Sequence, residues 1–98
     1  MEEKKSPETL ERELAETAKL MPIGAQYIHY KHPDDDHHYK IVGYAILEAT
    51  DEVAILYQAL YIKQQIVFCR ALRIWQETVE WGGETVPRFA KVASLPTV

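Results

Sequence analysis

Val53-Ala54-Ile55-Leu56-Tyr57-Gln58-Ala59-Leu60 is the stretch that decides how this chain folds. Its alternate members separate into Ile55, Tyr57 and Ala59 on one side and Ala54, Leu56, Gln58 and Leu60 on the other, the two-residue period of a strand. Both sides are largely apolar, so both need cover, and the strand belongs in the middle of a sheet. Upstream, Thr50-Asp51-Glu52 supplies a turn from a strand over about 39–49. Downstream, Ile62-Lys63-Gln64-Gln65 is a polar interruption leading to a strand over about 65–72. There Ile66, Phe68, Arg70 and Leu72 alternate with Val67, Cys69 and Ala71, again leaving little fully polar surface.

A first strand is expected over about 26–31, where the texture turns aromatic and β-branched. Val79-Glu80-Trp81 and Glu84-Thr85-Val86 form two short strands about Gly82-Gly83, a pair suited to a hairpin turn that demands positive φ. Short antiparallel strands at this density define a mainly β protein, a small barrel or roll. Ahead of them lies one helix. Ser6 caps it, Pro7 fits its first position and Glu8 suits the positive end of its dipole, so residues 7–20 are expected to be helical. Leu10, Leu14, Ala18 and Met21 give it one apolar stripe, which packs on the barrel or meets a second copy in a homodimer. Packing on the chain's own barrel is preferred, because a small core gains most from added burial. Pro22 and Gly24 stop the helix. The chain therefore divides into a helical extension (1–22), a β domain (23–92) and a loose tail (93–98).

With 98 residues, 47% of them hydrophobic and 27% charged, one globular core is expected. The net charge of −4 is spread over both halves, and the Asp34-Asp35-Asp36 run would repel phosphates, so nucleic acid is not an expected partner. No run approaches the length of a membrane span and no leader is visible at the N-terminus; one cysteine fits a reducing, cytoplasmic setting.

Four signatures run along the strand region: Tyr27-x-His29-Tyr30-Lys31, Tyr57-Gln58-Ala59-Leu60-Tyr61, Arg70-x-Leu72 and Pro87-Arg88-Phe89. On these, residues 23–89 resemble the family called domain of unknown function 1653, whose members begin on a Tyr-x-His-Tyr-Lys strand and close on Pro-Arg-Phe. The resemblance implies an SH3-like barrel and supplies no activity. Family members often have a short Lys-Gly turn where this chain has the longer stretch from His32 to His38, so a shared function is not expected to reside in that loop.

The residues that carry the resemblance are the candidates for a ligand site. Alternation puts Tyr27 and His29 on one face, Ile28 and Tyr30 on the other. With Ile28 and Tyr30 taken as the core pair, Tyr27 and His29 border a groove with Lys31 at its end. Tyr57, Tyr61, Arg70 and Arg88 complete the set. Aromatic faces with a positive rim suit a peptide or an anionic planar, nucleotide-like ligand. The plainer reading is that the tyrosines fill the barrel and that Arg70 and Arg88 pair with Glu77, Glu48 or Glu84. A hydrolase or transferase acting on a nucleotide-like substrate, with His29 as base, is the competing class. An interaction subunit is the third.

Three other features are weaker. His29 and His32 diverge on extended backbone, so the histidine and aspartate run reads as a hydrated loop and not a metal site. Cys69 lies among apolar residues and is expected to be a packed, inert thiol. Trp75 is expected in the core and Trp81, beside its glycine turn, partly exposed. No phosphate loop, metalloprotease pair, nucleophile elbow or dinucleotide fingerprint occurs, and no cofactor is expected.

Overall fold

The computed structural model describes residues 4–31 and 38–92. Along the chain come α1 (Pro7–Leu20), β1 (Gln26–His29), β2 (His38–Leu47), β3 (Glu52–Ala59), β4 (Val67–Ala71), α2 (Leu72–Trp75), β5 (Thr78–Trp81), β6 (Glu84–Pro87) and β7 (Phe89–Lys91). The protein is mainly β with an N-terminal helix, as its sequence pattern requires. The expected tail, 93–98, lies outside the described residues.

Five strands form one antiparallel sheet in the order β4-β3-β2-β1-β7, and β5 and β6 form a separate hairpin. The doubly apolar β3 is flanked on both sides, with Ala54 and Ile55 fully buried. Among the described residues no ladder joins the edges β4 and β7, so the sheet curls without closing through backbone hydrogen bonds. Side chains span the gap instead: the Arg70 guanidinium carbon on β4 lies 5.3 Å from the centre of the Phe89 ring on β7. The edge-on contacts around Phe89 reach Tyr39 of β2 and Tyr57 of β3 as well.

One irregularity sets which residues face the concave side. The β2–β3 register shifts between Ile41 and Gly43, so that Ile41 opposes Tyr57 while Tyr44 opposes Ile55. A bulge of this kind adds one residue to a strand and returns the following side chains to the same face. Ile41, Tyr44, Ile55 and Tyr57 therefore line one surface. With Met21, Tyr27, Trp75 and Phe89 they build the core.

Helix α1 starts where Ser6 predicts. The Ser6 hydroxyl accepts the Thr9 amide at 3.2 Å, Pro7 opens the first turn, and such a cap is worth about 1 kcal/mol. The helix rests against β2 and β3, with Leu10, Leu14 and Ala18 half-buried and Thr17 and Met21 buried. Its entry is pinned to the β2–β3 turn. The Asp51 carboxylate accepts the Lys5 backbone N–H at 2.9 Å, and the Lys4 ammonium donates to the Glu48 carbonyl at 2.9 Å. At the other end, the Tyr44 hydroxyl donates to the Met21 carbonyl, satisfying a group the helix leaves over.

Three expectations are corrected by this arrangement. Tyr27, not Ile28, is the core residue of β1: it is 7% exposed and packs edge-on to Trp75 at 5.4 Å, whereas Ile28 is only half-buried. Alternation separates two faces without saying which one the rest of the chain covers, and the cover here comes from α2 and β7 on the Tyr27 side. Cys69 is exposed. β4 is an edge strand, so its apolar alternation does not imply burial. The strand expected over 65–72 ends at Ala71, and Leu72–Trp75 turn into one helical turn that drops Trp75 into the core at 3% exposure. The Gly82-Gly83 hairpin forms as expected, with φ of 62° and 85°, and Trp81 beside it is 48% exposed.

Candidate functional site

The concave face of the curled sheet gathers residues from six elements and one loop. Phe89 is the hub. Its ring stacks on Trp75 with centres 3.8 Å apart and planes 7° from parallel, and it meets His29 edge-on at 5.2 Å. Tyr39 approaches it at 5.8 Å and Tyr57 at 6.3 Å. Phe68, inward-facing on β4, lies against Tyr57 at 5.8 Å and keeps 40% of its surface exposed. The result is an aromatic floor with one cation on it.

That cation is Arg70. The β3–β4 register sets Arg70 opposite Ile55 and Phe68 opposite Tyr57, so both project onto the concave face. The side chain is half-buried. Its Nε–H donates to the Tyr57 hydroxyl over 3.4 Å, a long and weak bond, and among the described residues no carboxylate pairs with it. A guanidinium has five N–H donors in a planar fork, and one removed partly from water without an anion is left short of partners.

Tyr39, edge-on to the same Phe89 ring, brings a further hydroxyl into the cluster, and Tyr61 meets it from the loop after β3. The Tyr39 and Tyr61 oxygens are 3.1 Å apart. Burial first, and then the hydrogen bond with Tyr61, push the Tyr39 phenol well above its ordinary range. It is therefore neutral and able to donate throughout the physiological range. His29 is oriented by its own backbone neighbour: Nδ1 accepts the Lys31 amide at 3.2 Å. That bond places the proton of a neutral ring on Nε2 and engages the lone pair a general base would use.

The sequence candidates thus separate. His29, Tyr57 and Arg70 come together around Phe89, and Tyr61 joins the cluster against Tyr39. Tyr27 faces the same side but is buried beneath the cluster, a packing residue and not a groove wall. Lys31 is exposed, its ammonium 5.9 Å from the centre of the Tyr30 ring. Arg88 forms the ion pair its surroundings suggested, with Nη2 at 3.0 Å from Glu77. Among the described residues Arg70 makes no such pair, which corrects the expectation that both arginines would find glutamates. Three contributors were missed. Phe89 stands in the Pro-Arg-Phe signature, Phe68 pairs with Tyr57 across β3 and β4, and the Tyr39 ring meets Tyr57 edge-on at 5.6 Å.

Two hollows are walled by described residues. One of about 400 Å³ lies between α1, the start of β3 and α2; its Glu13 and Glu52 are already held by Lys5 and Arg73, at 2.9 and 2.7 Å. The other, about 380 Å³, lies among Met21, Tyr27, Trp75 and Phe89 with Lys91 at its margin. Neither has Arg70 in its wall. Among the described residues no three His, Cys, Asp or Glu side chains gather as a metal site, and residues 32–37 lie outside them. No helix among the described residues is long and apolar enough to cross a membrane.

With the fold and the arginine-bearing face in view, the comparisons define the class. The pattern of the family described as protein of unknown function DUF1653 matches residues 25–91. The chain belongs to that family. It is similar to the crystal structure of a DUF1653 protein from Bordetella bronchiseptica, with 40% sequence identity and a TM-score of 0.58 over 78% of this chain and 92% of that one. No curated protein matches.

Proposed function

We propose that this protein is a small binding module that receives an anionic group on Arg70, against the aromatic floor formed by Tyr57, Phe68 and Phe89. The observation that carries the reading is a half-buried guanidinium with a single 3.4 Å hydrogen bond and no carboxylate partner among the described residues. A planar fork of donors matches a carboxylate or phosphate in two parallel bonds, which are shorter and stronger than neutral ones. The Tyr61 hydroxyl and the exposed Phe68 face add a donor and a stacking surface at the margin of the same cluster. The engaged lone pair of His29 counts against the general-base role that a hydrolase or transferase would ask of it.

The test is calorimetric titration of the protein with a nucleoside monophosphate and with inorganic phosphate, repeated on Arg70→Gln and Arg88→Gln. Binding that is lost in the first variant and kept in the second supports the assignment. Binding that follows Arg88, or is indifferent to both, refutes it.

A further inference from the structure

The two edges of the sheet are not alike. An edge strand presents unpaired backbone N–H and C=O groups, and native proteins blunt such edges with short strands, lysine, proline or bulges. β7 is blunted: it has three residues, carries Lys91 and follows Pro87-Arg88. β4 is not. Val67-Phe68-Cys69-Arg70-Ala71 contains no lysine and no proline, and it pairs with β3 without a register shift. Its residues stand open to solvent, with Val67 51%, Phe68 40% and the preceding Ile66 47% exposed. Arg70, which has no carboxylate partner among the described residues, lies on this same strand.

We propose that the free edge of β4 receives an extended acidic peptide as an added antiparallel strand, with its carboxylate on Arg70. This rests on the reading of Arg70 as an anion receptor and names the source of the anion. Backbone pairing along an edge supplies affinity, and alternate side chains supply specificity. Arg70 and Phe68 are two residues apart on the concave face, so the partner residues opposite them are also two apart. In an antiparallel strand the one opposite Arg70 comes first. The recognised pattern is therefore an aspartate or glutamate, any residue, then an apolar or aromatic residue that covers Phe68.

Charge selects this occupant over a second copy of the chain. Symmetric β4 pairing would set Arg70 against residues of the same strand, and Gln65-Ile66-Val67-Phe68-Cys69-Arg70-Ala71 contains no acid. Two guanidiniums would approach with nothing to neutralise them. An acidic peptide removes that cost.

A dye-labelled peptide with the core Val-Asp-Val-Phe-Val, titrated into the full chain by fluorescence anisotropy, is the test. Replacing the aspartate by asparagine is expected to weaken binding about ten- to a hundredfold, the range for a charge-assisted hydrogen bond. Methylating the peptide's backbone amides, which cannot unfold the protein, and Val67→Lys, which blunts the edge, should each weaken it at least as much. In Arg70→Gln the aspartate and asparagine peptides should bind equally. Equal binding of the two peptides to wild type overturns the proposal. So does a dimer that Val67→Lys dissociates while no peptide binds. If adenosine monophosphate binds through Arg70 and the peptide does not, the anion site survives and the added strand falls; if neither binds nor phosphate does, both fall.

Discussion

Replacing Phe89 by leucine tests whether one ring joins the two sheet edges. Phe89 is 6% exposed, stacks on Trp75 at 3.8 Å and lies beneath Arg70. Leucine keeps most of the apolar burial but removes the stack, worth about 0.5 to 1.5 kcal/mol beyond area, and leaves a shape mismatch of about 1 kcal/mol. The sum is about 1.5 to 2.5 kcal/mol. For a domain of this size that lowers Tm by roughly 6 to 20 °C, within the ~5 to 15 kcal/mol of stability such folds possess, so the variant remains folded when cool. Urea melts of Phe89→Leu, Trp75→Leu and the double variant give the coupling directly. About 1 kcal/mol between the two sites is expected for rings in contact. A single-variant cost under ~0.5 kcal/mol, or a coupling within ~0.3 kcal/mol of zero, would refute the claim that this stack holds the curl together.

Asp51 combines a left-handed φ of 59° with acceptance of the Lys5 amide, so Asp51→Ala should cost about 2 kcal/mol in urea melts and Asp51→Asn clearly less, because asparagine tolerates that backbone and still accepts. Gly83→Ala at φ 85° should cost about 1 kcal/mol from backbone strain alone, since an added Cβ there meets nothing within 4 Å. The Tyr39 phenol is raised in the fold above its ordinary value of 10.0, so its contribution is complete below pH 10 and is lost as pH rises beyond it. Tyrosinate absorbance followed beside circular dichroism should show Tyr27, Tyr39 and Tyr44, all raised by burial, ionising late and with loss of structure, and Tyr39→Phe should remove one of those late ionisations; simultaneous ionisation of all tyrosines in an intact fold would contradict it.

Much of this architecture is legible in the chain because local chemistry and packing agree. The Ser6-Pro7 start, the Gly82-Gly83 hairpin and the doubly apolar β3 each follow from neighbours in sequence. The errors fall where a distant element decides. Tyr27 and Ile28 are equally fit for a core, and only the placement of Trp75 and Phe89 selects the tyrosine. Cys69 has apolar neighbours along the strand, but β4 is the edge of the sheet. The register shift after Ile41 leaves no turn residue other than Gly43 to announce it. For the site, the signatures delivered His29, Tyr57, Tyr61 and Arg70, while Phe89, which gathers them, reads from sequence as one more buried ring.

Met21 lies ahead of residues 25–91, yet it belongs to the same core as Tyr27 and Trp75. The segment that marks the family and the segment that folds as a unit are therefore different lengths. Cutting the chain at the family boundary would remove a buried side chain worth about 1.5 to 3 kcal/mol together with the helix that delivers it. What would remain is a recognisable sequence with a hole in its interior.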